Sequence, residues 1–218
     1  MSGIMLNVVG GSFGPDVPST IGQAFGGGFY AGQIGVSSVP THYIIVGPLS
    51  TAQTVALWKN VNTATTGADS VIDGPQNTAD MVAAGNATVY PAAHFCNDLS
   101  TGGQTDWYMP ALNELEIQYY NLKPSTAANL TAYGINPNAV PARSSNYTSG
   151  DPAQTSATDF RSVGGTENFA VGAYWASTES SATHAWYINF NDGYTRSNAL
   201  KNDGGAGNRV RAIRRVPV

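Results

Sequence analysis

The residues best suited to acid-base chemistry or zinc binding are three histidines, His42, His94 and His184. They stand in unrelated contexts, and no His-Glu-x-x-His motif places two of them on one helical face. Glu114 and Glu116 are two positions apart, so on a helix they point in different directions and do not form a catalytic carboxylate pair. No serine occupies a Gly-x-Ser-x-Gly elbow. The sequence therefore predicts no catalytic residue, no metal ligand set and no cofactor, and we do not expect an enzyme.

A single cysteine, Cys96, excludes an intrachain disulfide. In the segment Pro91–Leu99, Ala92, Phe95 and Cys96 share one helical face with Leu99, and the proline suits the first turn. Unpaired cysteine commonly behaves as a small buried apolar residue. We therefore expect Cys96 in the core, with a reactive thiol as the less favoured alternative.

Basic residues are concentrated near the C-terminus, where four of the ten occur: Arg209, Arg211, Arg214 and Arg215. A nucleic-acid patch is one interpretation, but Asp192 and Asp203 lie nearby in the sequence and the rest of the chain is not basic. A structural role by pairing or stacking is favoured, since a nucleic-acid footprint would bias the charge of the whole domain. We expect no nucleic-acid partner.

The composition describes a weakly charged surface. Charged residues make up 11% of the 218 residues, and the formal net charge is -4. Such a surface has hydrogen-bonding groups but little long-range field, which suits short-range recognition of sugars or proteins. A hydrophobic content of 42% is enough for one substantial core, so one domain with a short appendage is expected.

The elements that must position these side chains are short strands and a few helices. Strand-like segments cover residues 26–34, 42–48 and 54–59. A short helix capped by Asn77 or Thr78 should end at Gly85, and the segment 91–99 forms a second helix. A third and longer helix carries Pro110 in its first turn and an apolar face made of Leu112, Leu115, Tyr119 and Leu122. Residues 124–168 are rich in Pro, Gly, Asn, Ser and Thr, which predicts a long irregular excursion.

The last fifty residues return to strands. In the segment His184–Phe190, Trp186, Ile188 and Phe190 should face one way, with Tyr187 and Asn189 facing the other. Asn191-Asp192-Gly193 predicts a hairpin turn, because Asp-Gly adopts the positive dihedrals of two-residue turns. A return strand over 194–200 and a final strand over 208–215 follow, the latter with Val210 and Ala212 opposed to Arg209 and Arg211. Trp107, Trp175 and Trp186 are expected in the core.

The first twenty residues look different from the rest. They alternate Gly, Ser and Pro with a short apolar patch, which comprises Ile4, Met5, Leu6, Val8 and Val9. We interpret residues 1–20 as an arm that attaches residues 21–218 to another protein, and a frayed terminus is the alternative. No secretory signal or membrane-length apolar run is recognisable, so we expect synthesis in a cytoplasm, no membrane insertion, and delivery by assembly or lysis.

Three blocks resemble a known family: Gly102–Leu115 with its Asp-Trp-Tyr-Met-Pro-Ala core, Tyr174–Glu179 with Trp-Ala-Ser-Thr-Glu, and Arg209–Arg215 with Arg-Val-Arg-Ala-Ile-Arg-Arg. They look like signatures of the domain that ends bacterial collagen-like adhesins and occurs in many phage tail and head proteins. The resemblance covers about residues 21–216. The segment 4–13 also resembles the start of phage structural proteins, which favours a virion over a cell surface.

The resemblance implies an α+β, C-type-lectin-like fold with short antiparallel strands, two or three helices and long loops. Distant relatives include formylglycine-generating enzymes and retroelement variable proteins. The former use a cysteine pair, which this chain lacks. The Glu-Pro-Asn, Gln-Pro-Asp and Trp-Asn-Asp motifs of calcium-dependent lectins are also missing. Asp192 and Asp203 leave an unrecognised calcium site open, although turn aspartates usually bond their own backbone.

In the variable proteins the ligand-contacting residues cluster near the C-terminus, and the matching stretch here is 187–208. Its mixture of tyrosine with Asn and Asp suits an adaptable recognition surface. We call the predicted ligand residues the hairpin surface: Tyr187, Asn189, Asn191, Asp192, Tyr194, Arg196, Asn198, Asn202 and Asp203.

Two functional hypotheses follow. The first is a bacteriophage virion protein that recognises a host-surface glycan or protein from a fibre tip, attached to other virion proteins through its arm. The second is a non-binding decoration protein of the capsid or tail. In either case we expect a location on the virion surface and a homo-oligomer, with a trimer favoured.

Overall fold

A computed structural model describes residues 17–203 and 207–218. The apolar patch predicted for attachment, Ile4, Met5, Leu6, Val8 and Val9, lies outside the described residues. In the described ranges the fold is α+β, with four α-helices and nine strands in two sheets. The predicted fold class is confirmed.

One sheet has four antiparallel strands in the order β1-β2-β3-β9. They are β1 (Ala24–Phe25), β2 (Gly28–Val36), β3 (Val39–Val46) and β9 (Ile213–Pro217). Gly26 and Gly27 both take positive φ between β1 and β2, where they form a tight turn that a residue with a Cβ would adopt only with strain. β3 is β-branched and aromatic at its buried end, which favours a strand packed on both faces.

The other sheet has five strands in the order β4-β8-β5-β6-β7. They are β4 (Gln53–Val55), β5 (Ala173–Glu179), β6 (His184–Asn189), β7 (Thr195–Leu200) and β8 (Arg209–Arg211). All neighbours are antiparallel except β5 and β8. The predicted strand over 54–59 is wrong beyond Val55, because the backbone N–H groups of Trp58 and Lys59 both bond the Lys201 carbonyl oxygen outside the sheet.

Four helices lie between the strands in sequence: α1 (Leu49–Ala52), α2 (Gly74–Ala84), α3 (Pro91–Asn97) and α4 (Leu112–Leu122). The predicted cap of α2 is wrong. Asp73 is the N-cap and accepts a hydrogen bond from the Gln76 N–H, whereas Asn77 and Thr78 are buried inside the helix. There the Asn77 amide donates to the Ser70 carbonyl and the Thr78 hydroxyl accepts from the Met109 N–H, so their polar groups serve contacts outside the helix instead of the helix end. The predicted end at Gly85 is confirmed.

The core has two clusters of buried side chains. One contains Leu115, Ile117 and Tyr119 of α4, which packs on β2, β5 and β6. The other contains Cys96 and three fully or almost fully buried tryptophans, which are Trp58, Trp107 and Trp175. The predicted burial of Cys96, Trp107 and Trp175 is confirmed.

Trp186 corrects the sequence prediction, because it is half-buried at the margin of the α4 cluster and does not join the other tryptophans. Its neighbours Ile188 and Phe190 are fully buried in that cluster, so the predicted facing of this strand holds. Trp58, which the pattern did not single out, fills the core instead and donates its indole N–H to the Ala176 carbonyl at 2.9 Å.

The C-terminal segment is two strands, and the single strand predicted over 208–215 is wrong. The chain changes sheets at Ala212, whose N–H bonds the Ala52 carbonyl at 2.8 Å. Arg211 lies opposite Val210, as alternation predicted, but it is only 1% exposed, because this second face of β8 is covered by Phe169. Residues 209–217 thus join the two sheets covalently.

The irregular excursion between α4 and β5 is confirmed, since it holds only a short 3-10 helix, Thr158–Phe160. Its first part runs beside the β6–β7 hairpin, and the Leu130 N–H donates to the Asp192 carbonyl at 2.9 Å. This segment between α4 and β5, which we call the long loop, therefore packs against the hairpin.

Candidate binding site

The hairpin of β6 and β7 presents two tyrosines and an arginine on one face. Tyr187 is paired with Arg196 across the strands, and Tyr194 precedes β7. The Tyr187 ring meets Trp175 edge-on at 6.1 Å and Tyr194 edge-on at 6.4 Å. Edge-to-face contacts of this kind hold aromatic rings in defined orientations. The two tyrosines are therefore a preorganised pair on a strand scaffold.

Arg196 completes this cluster. A hydrogen bond with Tyr187 raises the pKa of Arg196, with smaller contributions from the charges of Tyr194 and Asp203. Its Nε–H also donates to the Asn198 side chain. The guanidinium is thus bonded to Tyr187 on the neighbouring strand and to Asn198 on its own strand.

The turn residues of the hairpin surface have a structural role. Asn189 accepts a hydrogen bond from the Asn191 N–H at 2.9 Å, and Asp192 accepts one from the Tyr194 N–H at 3.1 Å. This is the backbone bonding expected of a turn aspartate. The predicted two-residue turn is wrong: the Gly193 N–H bonds the Asn189 carbonyl around a four-residue loop, in which Gly193 alone has positive φ.

Exposure separates the nine residues of the hairpin surface. Asn198, Asn202 and Asp203 are exposed, and the other six are half-buried. Half-buried tyrosines offer part of each ring and still gain orientation from the core. The hairpin surface therefore has an exposed polar part, made of Asn198, Asn202 and Asp203, and a half-buried part that contains the tyrosine pair.

A pocket of about 220 Å³ adjoins the hairpin and was not predicted from the sequence. We call it the loop pocket, and its lining comes from α4, the long loop and both hairpin strands: Leu112, Asn113, Glu116, Ala132, Tyr133, Gly134, Ile135, Asn146, Ile188 and Thr195. Tyr133 connects it with the hairpin surface, because its ring meets Tyr194 edge-on at 5.5 Å. The alternation of the hairpin residues could have shown the face of Ile188, but no sequence signal brought the long loop against it.

Glu116 lies at the base of this pocket and is almost fully buried. Its carboxylate accepts hydrogen bonds from the Tyr147 hydroxyl and the Asn136 amide, each at 2.6 Å, and pairs with Arg143. Arg143 in turn stacks on the Tyr120 ring, 4.0 Å from its centroid. Burial lowers the pKa of Arg143, and it raises the pKa of Tyr147. The network compensates the charge of Glu116 and fixes the long loop to α4.

Glu114 occupies a separate site, as expected for two glutamates two positions apart. Its carboxylate accepts bonds from the Tyr108 hydroxyl at 2.5 Å and the Ala111 N–H at 2.8 Å, and pairs with Arg215 at 2.7 Å. Burial raises the pKa of Glu114, and the nearby charge of Arg215 opposes that shift. The two glutamates therefore do not converge on one reacting centre.

The C-terminal arginines have the structural role predicted for them. Arg211 pairs with Glu167 at 2.8 Å and lies over Phe169, while Arg214 pairs with Asp106 at 2.6 Å. Burial lowers the pKa of Arg211 to about 10. Arg209 donates to the Gly207 carbonyl at 3.4 Å. These contacts direct the cluster into the protein.

Within residues 17–203 and 207–218, no three His, Cys, Asp or Glu side chains are grouped so that they could hold a metal ion. No helix in these ranges is long and apolar enough to cross a membrane. Burial raises the pKa of the Cys96 thiol well above its ordinary value.

The fold and the three sequence blocks agree with a match to a known protein family. The family model described as the Lcl C-terminal domain matches residues 52–214. The chain belongs to this family. The Lcl C-terminal domain is a C-type-lectin-like family, and the matched range includes the first two sequence blocks, the third block except Arg215, the hairpin and the long loop. No curated protein matches the chain. Membership supports a lectin-like binding domain as the general function.

Proposed function

We propose that this chain is a virion protein of a bacterial virus whose Lcl C-terminal domain binds a receptor on the host surface. The observation that carries the binding role is the cluster of Tyr187, Tyr194 and Arg196 on one face of the hairpin. The preference for a virion rests on the sequence resemblance of the blocks and of residues 4–13.

The cluster has the physical properties of a recognition surface. Tyr and Arg are enriched among residues that dominate binding energy, because they combine large contact area with specific hydrogen bonds. Here the contacts with Trp175 and Asn198 already fix the rings and the guanidinium, so little side-chain freedom remains to be lost on binding. The exposed amide of Asn202 adds adaptable hydrogen-bonding capacity at the rim.

The assembly part of the proposal concerns partners. Residues 1–20 attach the domain to other virion proteins, and the domain acts as a homo-oligomer, with a trimer favoured. Several copies on one particle would raise the avidity for a surface that repeats its receptor.

A host-cell binding assay tests the receptor role. The double variant Tyr187→Ala/Tyr194→Ala should lose binding by roughly tenfold or more, since each anchor contributes on the order of 1 kcal/mol. Tyr30→Ala is the matched control, because Tyr30 is also half-buried and packs edge-on against another tyrosine, but on β2. Circular dichroism should show all variants folded. If the folded double variant binds cells as well as the parent does, the receptor role is wrong and a decoration protein is the better interpretation.

A further inference from the structure

We propose that the loop pocket binds one uncharged sugar ring of the receptor. This inference rests on the proposed function and specifies its ligand class. It concerns the groove between α4, the long loop and the hairpin, which lies beside the hairpin surface and contains none of its nine residues.

The size of the pocket limits its ligand. Pockets for drug-sized molecules begin at about 300 Å³. At about 220 Å³ the loop pocket suits a smaller group, such as a single hexose ring or one residue of a longer chain. Its position at the surface lets the rest of a chain continue outside.

The chemistry of the lining suits a ring with apolar faces and hydroxyl edges. Leu112 and Ile135 supply apolar contacts, and Tyr133 supplies part of an aromatic ring. Side-chain amides and a hydroxyl come from Asn113, Asn146 and Thr195. A mostly apolar pocket with a few placed polar groups is the usual design of a small-ligand site.

The charge of the pocket favours a neutral ligand. Among the described residues, Glu116 is the one charged residue of its lining. Its carboxylate already pairs with Arg143, which is not part of the lining. An anionic ring would meet a carboxylate without a spare cation, and a cation would compete with Arg143. An uncharged ring avoids both the repulsion by the Glu116 carboxylate and the competition with Arg143.

The pocket is also joined to the proposed receptor surface. Tyr133 lines the pocket and packs on Tyr194, whereas Ile188 and Thr195 lie on the face of the hairpin opposite Tyr187 and Arg196. The Tyr133 ring is therefore the contact that links the pocket to the tyrosine pair, and a glycan that touches Tyr194 can continue past Tyr133 into the pocket.

The test is an NMR titration of the full chain with four neutral probes: D-glucose, D-galactose, D-mannose and N-acetyl-D-glucosamine, with D-glucuronate as the anionic comparison. At least one neutral sugar should shift the amide signals of Ala132, Asn146 and Thr195, and glucuronate should bind more weakly. Ala132→Trp fills the pocket and should weaken this binding roughly tenfold or more, equivalent to ~1.4 kcal/mol. Ala128→Trp, an exposed site on the same loop outside the lining, should leave it unchanged.

The outcomes separate this inference from the receptor role. It is overturned if none of the four sugars shifts the pocket signals, if glucuronate binds best, or if Ala132→Trp binds as the parent does. Cell binding by the tyrosine double variant decides the receptor role independently, because neither tyrosine lines the pocket. Sugar shifts that are lost in Ala132→Trp, together with unimpaired cell binding of the tyrosine variant, would keep the pocket and reject the receptor surface.

Discussion

At the scale of single residues, Arg211 shows how a polar side chain becomes part of the core. It is 1% exposed, yet its guanidinium has acceptors on several sides: the Gly47 carbonyl at 2.9 Å, the Glu167 carbonyl at 2.8 Å and the Glu167 carboxylate at 2.8 Å. The Phe169 ring lies 4.8 Å away. Removing one partner of such a pair leaves a charge buried without compensation.

Replacing Glu167 should therefore be costly. We expect Glu167→Ala to destabilise the fold by ~3–5 kcal/mol, because it leaves the buried Arg211 guanidinium without its carboxylate partner. It also removes the acceptor of the Leu49 N–H. Asp106→Ala is the matched control: it breaks the Arg214 pair, whose carboxylate is 54% exposed, and should cost less than ~1 kcal/mol. Urea unfolding measures both, and equal costs would contradict the assigned role of Arg211.

Residue patterns predicted part of the site and missed the rest for a definite reason. The shared face of Tyr187 and Asn189 follows from strand alternation, and the burial of Cys96 follows from a helical face. Glu116 could not be predicted as buried, because its partners Asn136, Arg143 and Tyr147 come from a loop without periodicity. The loop pocket is lined in part by the same loop, so the periodicity of apolar residues could not predict the pocket either.

At the scale of elements, strands and helices were predictable where one side faces the core throughout. Helix α4 and the β6–β7 hairpin satisfy that condition, and their existence was predicted. The segment 209–217 does not, because it leaves one sheet and enters the other at Ala212. Within β8, both faces are packed: Val210 belongs to the cluster that holds the tryptophans, and Arg211 lies over Phe169 of the α4 cluster. Alternation therefore placed Arg211 opposite Val210 correctly but could not show that this second face is buried.

The N-terminal element gives a prediction at this scale. A truncation that begins at Ile21 should still fold, since Ile21 already packs on the α4 cluster and the β-strands begin after it. A small loss of stability is expected, because the truncation removes the buried Pro18 and the Thr20 carbonyl that accepts the Gln23 N–H. The truncated chain should fail to incorporate into particles if residues 1–20 are the attachment arm. Particle occupancy measured by quantitative gel analysis decides the matter, and normal occupancy would show that the segment is only a tail.

At the scale of the whole molecule, stability comes from packing and paired polar groups. Lys201 illustrates this. Its side chain is fully buried, pairs with Glu179 at 3.0 Å and lies over the Trp58 ring. Desolvation lowers the pKa of Lys201, and the bond to Glu179 opposes that shift. Ion pairs of this kind connect loops to the sheet.

Chelation should accordingly leave the molecule unchanged. The calcium motifs of lectins are missing from the sequence, and the described part of the chain groups no set of metal ligands. We expect the same melting temperature and the same host-cell binding with and without EDTA. A clear fall in melting temperature on adding EDTA would reveal a metal that binds the folded state, since such a ligand stabilises by mass action.

The segment Arg209–Pro217 also sets when the protein can fold during its synthesis. β8 lies between β4 and β5, and β9 pairs with β3, so each sheet lacks a strand until this segment is made. A nascent chain that has reached β7 exposes the edges of β3, β4 and β5 and the apolar side chains that Val210 and Ile213 will later meet. Exposed strand edges and apolar side chains of this kind favour aggregation of an unfinished chain. We therefore expect chains that end before residue 209 not to fold, and chains that include both strands to do so.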